Sequence, residues 1–138
     1  MIIREYKVMV EGNAHAPAIK SDISLSFWGG VRAATGDIED IHNDLCGENM
    51  TGKILCIPYD RGSCSSSGVM LEMIRKGTSP VAVLCIEAEA VLALGPIIGN
   101  RMYNRTIAMR AIPEELFHQI PRNSTIAFTD DAILINEE

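Results

Sequence analysis

Residues 53–77 read Lys53-Ile54-Leu55-Cys56-Ile57-Pro58-Tyr59-Asp60-Arg61-Gly62-Ser63-Cys64-Ser65-Ser66-Ser67-Gly68-Val69-Met70-Leu71-Glu72-Met73-Ile74-Arg75-Lys76-Gly77, and the order of residue types in this stretch decides the fold. The run from Lys53 to Pro58 is short, nearly continuous and apolar, with breakers on both sides, which is the pattern of a buried strand. Val69, Met70, Met73 and Ile74 then recur at three- and four-residue spacing, with Glu72, Arg75 and Lys76 on the other face, so the chain is expected to become an amphipathic helix. Gly77 stands where a helix C-terminus favours left-handed backbone. Between strand and helix, residues 60–68 cannot pack and must form a turn that opens the helix. Unpaired backbone N–H groups and the positive end of the macrodipole leave a helix at that end, and Gly62 carries no Cβ to hinder a ligand's approach. The turn is therefore a candidate anion site. Ser63, Ser65, Ser66 and Ser67 add hydroxyls that either cap the helix or face a substrate, and the sequence does not separate these uses.

Outward from this stretch, Val81-Ala82-Val83-Leu84-Cys85-Ile86 is a further buried strand. Strand, helix and strand in this order form a βαβ unit with parallel strands, and ligands of such units lie beyond the carboxyl ends of the strands, where Gly62 and Ser63 fall. Glu87 to Leu94 is a helix candidate that stops at Gly95-Pro96, with Ile97 to Tyr103 as a further helical turn. Thr106 to Arg110 is a short strand candidate, and Pro113 to Ile120 a short helix with two acids near its positive end. Ser124 to Phe128 and Ala132 to Ile135 read as a hairpin. Toward the N-terminus, Ile2 to Val10 alternates imperfectly, as a strand does, and Ile38 to Ile41 is another short strand. The segment Ser24-Leu25-Ser26-Phe27-Trp28-Gly29-Gly30-Val31 sets two adjacent aromatics against a double glycine. Neighbouring side chains on an extended segment face opposite ways, so one of Phe27 and Trp28 is expected outside the core. The segment is either a packed strand ending in a glycine turn or a loop whose backbone lies against a ligand. The expected class is α/β, one domain over residues 1–138, with a parallel βαβ unit and additional antiparallel strands.

Composition bounds the function. The chain has 138 residues, of which 47% are hydrophobic and 22% charged, with a formal net charge of -6. That balance fits a folded domain with a core and argues against a nucleic-acid partner, which requires excess Lys and Arg. No run reaches the length of a membrane span, and Arg4, Glu5 and Lys7 interrupt the first apolar residues, so a cytoplasmic protein is expected. Cys46, Cys56, Cys64 and Cys85 form no CxxC pair and have no His partner at zinc-site spacing. Cys56 and Cys85 lie in apolar runs as core thiols. Cys64 has no nearby His to activate it as a nucleophile. His42, beside acids and before a glycine, is the histidine best placed to reach a site, and Glu87 and Glu89 follow a strand end.

The runs SFWGGV, TGDIED, IHNDLCGENMTGKILCIPYDRGSCSSSGVMLEMI and SPVAVLCIEAEAVLALGPIIG, in this order, resemble the small subunit of aconitase X type dehydratases, the separate swivel domain of an aconitase-like enzyme. The similarity spans Ser26 to Arg110, and the RGS turn is its most specific part. The resemblance implies a swivelling β/β/α domain and a large subunit as partner. That subunit would hold an iron or iron–sulfur centre and most of the ligands of a small hydroxy-acid substrate; no cofactor is expected on this chain alone. Two activities follow by resemblance: dehydration of cis-3-hydroxy-L-proline to Δ1-pyrroline-2-carboxylate, the preferred one, and dehydration of (R)-5-phosphomevalonate. In aconitase-like enzymes the serine after the glycine of this turn is the proton-abstracting base, a role that carries onto Ser63. Arg61, Gly62, Cys64, Ser65 and Ser66 of the turn and Phe27, Trp28, Gly29 and Gly30 of the aromatic-glycine loop are the expected substrate-binding residues. The chain departs from the aconitase pattern in having Ser65, where an arginine follows the catalytic serine by two positions. The alternative of another class is a non-catalytic domain whose turn binds an anion or docks on a partner.

Overall fold

A computed structural model describes residues 1–61, 65–86 and 90–137. Three parallel strands form its centre: β3 (Ala14–Lys20), β6 (Ile54–Cys56) and β7 (Ala82–Cys85), continued by a fourth, β8 (Ala108–Ala111). Helix α1 (Ser65–Lys76) connects β6 to β7, and α2 (Ala90–Tyr103) connects β7 to β8, so two successive βαβ units share one sheet. Both faces of β6 and β7 are buried, which is why these strands read as unbroken apolar runs. Leu55 and Val83 face the core with Met70, Met73 and Ile74 of α1 and Leu92 of α2. Ile54, Cys56, Ala82 and Leu84 face the opposite core, closed by Phe117, Ile126, Phe128 and Ile133. Gly77 has φ of 76°, the left-handed conformation expected at the end of α1.

The rest of the sheet is antiparallel. β9 (Ser124–Phe128) and β10 (Ile133–Glu137) form the C-terminal hairpin, and β9 pairs with β3. β1 (Ile2–Ile3) pairs with β10 at one edge, whereas β2 (Lys7–Val10) pairs with β8 at the other, giving the order β1-β10-β9-β3-β6-β7-β8-β2. The expected single strand over Ile2 to Val10 is thus two strands on opposite edges. A flat sheet of this order would hold its edges roughly 34 Å apart at about 4.8 Å per strand, yet the chain from Ile3 to Lys7 spans at most about 14 Å. The sheet must therefore curl until its edges nearly meet. The helices α1 and α2, the central strands and the curled hairpin side make the mixed α/β architecture expected from the sequence.

Several elements differ from expectation. β3 was not anticipated, because Pro17 sits inside it; its pairing with β6 begins only at Ala18, so Pro17 has a strand neighbour on one side alone, the place a sheet accepts proline. Gly95-Pro96 does not end a helix: α2 runs through both. A Cβ on Gly95 would lie 2.9 Å from Met70 and 3.0 Å from Ser67 O, and one on Gly99 would lie 2.9 Å from Ile74, so the glycines let α2 lie closely on α1 and that packing overrides the breaker signal. The strand expected over Ile38 to Ile41 shrinks to β5 (Asp37–Ile38), paired with β4 (Val31–Arg32) in a separate ribbon within the long β3–β6 connection. The expected helix over Pro113 to Ile120 is α3 (Glu114–His118), capped by Pro113.

Candidate functional site

The carboxyl ends of the parallel strands lie side by side, since Lys20, Cys56 and Leu84 are register neighbours and Cys85 opposes Ala111. The chain leaving β6 at this end continues through Tyr59, Asp60 and Arg61 toward α1. The chain leaving β3 runs beside it: Leu25 N–H donates to Tyr59 O at 3.3 Å, and Arg61 N–H donates to Leu25 O at 2.8 Å. Two segments far apart in sequence, the 59–61 flank of the serine turn and the chain entering the aromatic-glycine loop, are thereby brought to one place.

Phe27 and Trp28 separate as expected, but through a turn and not an extended segment: residues 28–30 form a turn across which Val31 N–H donates to Phe27 O at 3.2 Å. Phe27 is fully buried, in one core with Leu25 and Met70, whereas Trp28 is 63% exposed. The Phe27 ring therefore does not face a ligand; its backbone N–H donates to Asp60 Oδ1 at 3.2 Å. Gly29 has φ of 77°, where a side chain would be strained. At Gly30 the requirement is steric, for a Cβ there would lie 2.1 Å from Ser26 O and 2.8 Å from Asp40 Cβ. Gly30 O in turn accepts the N–H groups of Glu39 and Asp40, at 2.8 and 3.0 Å. The null side chain is what allows the loop to close on the 39–42 segment.

Ser26, Trp28, Gly29, Gly30, Asp40 and Arg61 are among the walls of an open cleft of about 280 Å³ that His42 also lines. Arg61 is half engaged: Nη2 donates to Asp40 Oδ2 at 2.6 Å and Nη1 to Ser24 O at 3.0 Å, while its side chain stays 41% exposed. The two contacts use part of the guanidinium's five donors and fix its plane. Asp40 is nearly buried; burial alone would raise its pKa, but the N–H groups of Ser26 and His42 and the Arg61 guanidinium outweigh it and hold the carboxyl below the ordinary range. Asp60 goes the other way: burial pushes its pKa up, against the Ser66 hydroxyl, the Phe27 N–H and the Arg61 charge. Ser66 is buried at the start of α1, and among the described residues its hydroxyl closes no regular hydrogen bond.

Of the expected site residues, Gly62, Ser63 and Cys64 lie outside the described residues, as do Glu87 and Glu89, and Ser65 is described only as the first residue of α1. The structure brings Arg61, Trp28, Gly29 and Gly30 to one cleft. It adds Asp40 and Asp60, which the sequence did not single out. Asp60 was inside the quoted turn, but only its pairing with Phe27, thirty-three residues away, marks it. Asp40 carried no signal in Glu39-Asp40-Ile41. Among the described residues no three His, Cys, Asp or Glu side chains gather to hold a metal ion. The Cys56 thiol is buried and pushed up to about 12, so it is no thiolate ligand. The residues described here do not fit an iron or iron–sulfur centre.

Comparison with known proteins adds four findings. The family model described as "Aconitase X swivel domain" matches residues 3–136. Cis-3-hydroxy-L-proline dehydratase of Hypocrea jecorina is 39% identical over 80% of this chain, and this chain spans only 19% of that protein's length. The phosphomevalonate dehydratase small subunit of Methanopyrus kandleri is 41% identical over 67% of this chain and 69% of its own length. Among solved structures, aconitase X of Thermococcus kodakaraensis in its holo-form superimposes with a TM-score of 0.85 at 28% identity, covering 96% of this chain and 97% of that one.

Proposed function

Since the chain belongs to the aconitase X swivel-domain family, we propose that residues 1–138 act as the small subunit of a cytoplasmic aconitase X type dehydratase. Its substrate in this reading is cis-3-hydroxy-L-proline, and Ser63 is the base. The observation that carries the reading is the meeting of the RGS turn's flank, at Arg61, with the aromatic-glycine loop at one open cleft beyond the strand ends. A small hydroxy acid fits such a half-site, which a large subunit completes. Exposed Trp28 and Ile41 line the cleft, and Ile23 and Tyr59 are exposed on the segments that lead to it; large apolar side chains at such an edge suit a protein partner.

In this mechanism Ser63 Oγ takes the proton from the carbon beside the substrate carboxylate, the hydroxyl leaves from the neighbouring carbon, and water is released. A free hydroxyl is far too weak a base for that step, so the α1 N-terminus and the guanidinium of Arg61 serve to favour its alkoxide. The remaining Arg61 donors and the backbone of Gly29 and Gly30 orient the carboxylate, with Ser65 and Ser66 supporting the turn. The large subunit supplies the iron or iron–sulfur centre in this reading.

A second substrate is favoured by one observation: this chain matches free-standing phosphomevalonate dehydratase small subunits over 69% of their length, so (R)-5-phosphomevalonate is the alternative. Mixing the purified chain with its large subunit and assaying water elimination from both compounds tests the reading. The isolated chain is expected to be inert and the complex active, with Ser63→Ala lowering turnover by ~10³-fold while substrate binding changes little. Turnover by the chain alone, or near-normal turnover of the Ser63→Ala complex, removes the assignment. A stable monomer that binds an anion but never a large subunit supports the non-catalytic alternative.

A further inference from the structure

Asp60 occupies a junction. Its backbone bridges Leu25, its Oδ1 accepts the Phe27 N–H at 3.2 Å, and the Ser66 hydroxyl, buried in the first turn of α1, favours the ionised carboxyl without closing a regular hydrogen bond. Three pieces therefore converge on one carboxylate: the aromatic-glycine loop, the strand extension that carries Arg61, and the start of the helix behind the serine turn. We propose that Asp60 is a positioning residue of this site, whose charged carboxylate holds the loop bearing Trp28, Gly29 and Gly30 in register with the start of α1.

The charged form is kept where it is not cheap. Burial raises the Asp60 pKa in the fold, so the folded chain holds this proton more tightly than the unfolded one. Its contribution to stability is greatest below the ordinary carboxylate range and is lost as pH rises through the raised value. Above that value the charge costs stability, and the geometry gives the carboxylate a use: it ties Phe27, next to the cleft residue Trp28, to the segment that carries the cleft residue Arg61. The charged groups around it are these: Arg61, on the same segment, is bound to Asp40, whose own pKa is lowered; Glu39 and His42 line the cleft beside Arg61; the first turn of α1 carries no acid. Asp40 and Asp60 thus titrate on opposite sides of the ordinary aspartate range of about 4.

Trp28 is the only tryptophan in the chain and adjoins the residue that Asp60 holds, so its emission reports the junction directly. In the isolated wild-type chain, Trp28 emission is expected to change with a midpoint above the ordinary aspartate range. Asp60→Asn, whose amide oxygen still accepts the Phe27 N–H, abolishes that transition; His42→Gln, which removes the cleft imidazole, leaves it. Asp60→Asn melts no lower than wild type at neutral pH. The kinetic arm rests on the dehydratase reading: in the assembled complex, Asp60→Asn lowers kcat/KM by ~10-fold and removes the acid limb that shares the emission midpoint. Flat wild-type emission between pH 4 and 7 overturns the proposal, as does wild-type kcat/KM in the Asp60→Asn complex or a lower melting temperature for that variant. A wild-type complex that dehydrates neither compound defeats the dehydratase reading instead, and the emission arm still decides the role of Asp60.

Discussion

Asp40 shows how one side chain organises a cleft without belonging to any motif. Its Oδ2 accepts from the Ser26 N–H at 3.1 Å and from Arg61, and its Oδ1 accepts from the His42 N–H at 3.0 Å. Replacing it with alanine frees two backbone donors and one guanidinium. Because Arg61 remains partly solvated, the loss is expected at about 2–3 kcal/mol, below that of a fully buried pair. The lowered pKa fixes the sign of the pH effect: the stabilisation is complete above the ordinary carboxylate range and disappears as pH falls through the lowered value. Urea unfolding of Asp40→Ala should therefore show a deficit at pH 7 that narrows below pH ~4; a deficit unchanged by pH, or below about 0.5 kcal/mol, contradicts the assignment. At this scale the sequence revealed that one of Phe27 and Trp28 leaves the core, although a turn and not strand alternation separates them. It lost what depends on partners, because those of Asp40 and Asp60 come from segments that only folding brings near.

For elements, the βαβ unit was legible because strand and helix signals there agree: an apolar run buried on both faces, an amphipathic repeat, and Gly77 at the end of α1. The failures occur where a local signal was correct chemistry in a context that neutralised it. Pro17 does lack an N–H, but it lies ahead of the β6 pairing; Gly95 and Pro96 are poor helix residues, but α1 lies against that very face. The two glycines of α2 are not equivalent. At Gly95 a Cβ meets backbone, Ser67 O at 3.0 Å, as well as the root of the Met70 side chain, whereas at Gly99 it meets side chain alone, the Cδ1, Cγ2 and Cβ of buried Ile74 at 2.9, 3.1 and 3.3 Å. Gly95→Ala is expected to destabilise by about 1–3 kcal/mol because the helices must separate. Gly99→Ala should cost less, because a side chain yields more readily than backbone and roughly 1 kcal/mol of helix propensity offsets part of the strain. Thermal unfolding of both variants checks this, and equal losses would mean that the α1–α2 spacing is not set at Gly95.

At the scale of the whole molecule, family membership rests on residues 3–136 together, and the cleft draws on loops that leave two different strands. The cleft therefore exists only once the central sheet is formed. The curled sheet adds something else. Its seam is closed by the first ten residues, whose two short strands bind β10 on one side and β8 on the other, with Met1 and Ile135 exchanging hydrogen bonds in both directions at 3.0 and 2.9 Å. Contacts between the two ends of a chain cost the most loop entropy and reward folding last. Ile3→Ala, which removes a side chain only 2% exposed at this seam, is thus expected to speed unfolding by nearly the full equilibrium loss of about 2–4 kcal/mol while leaving the refolding limb of the chevron almost unmoved. Refolding slowed by a comparable factor would place the seam in the folding nucleus instead. If the limbs behave as expected, the residence time of the native state is governed at its first and last strands, far along the chain from the turn proposed to hold the base.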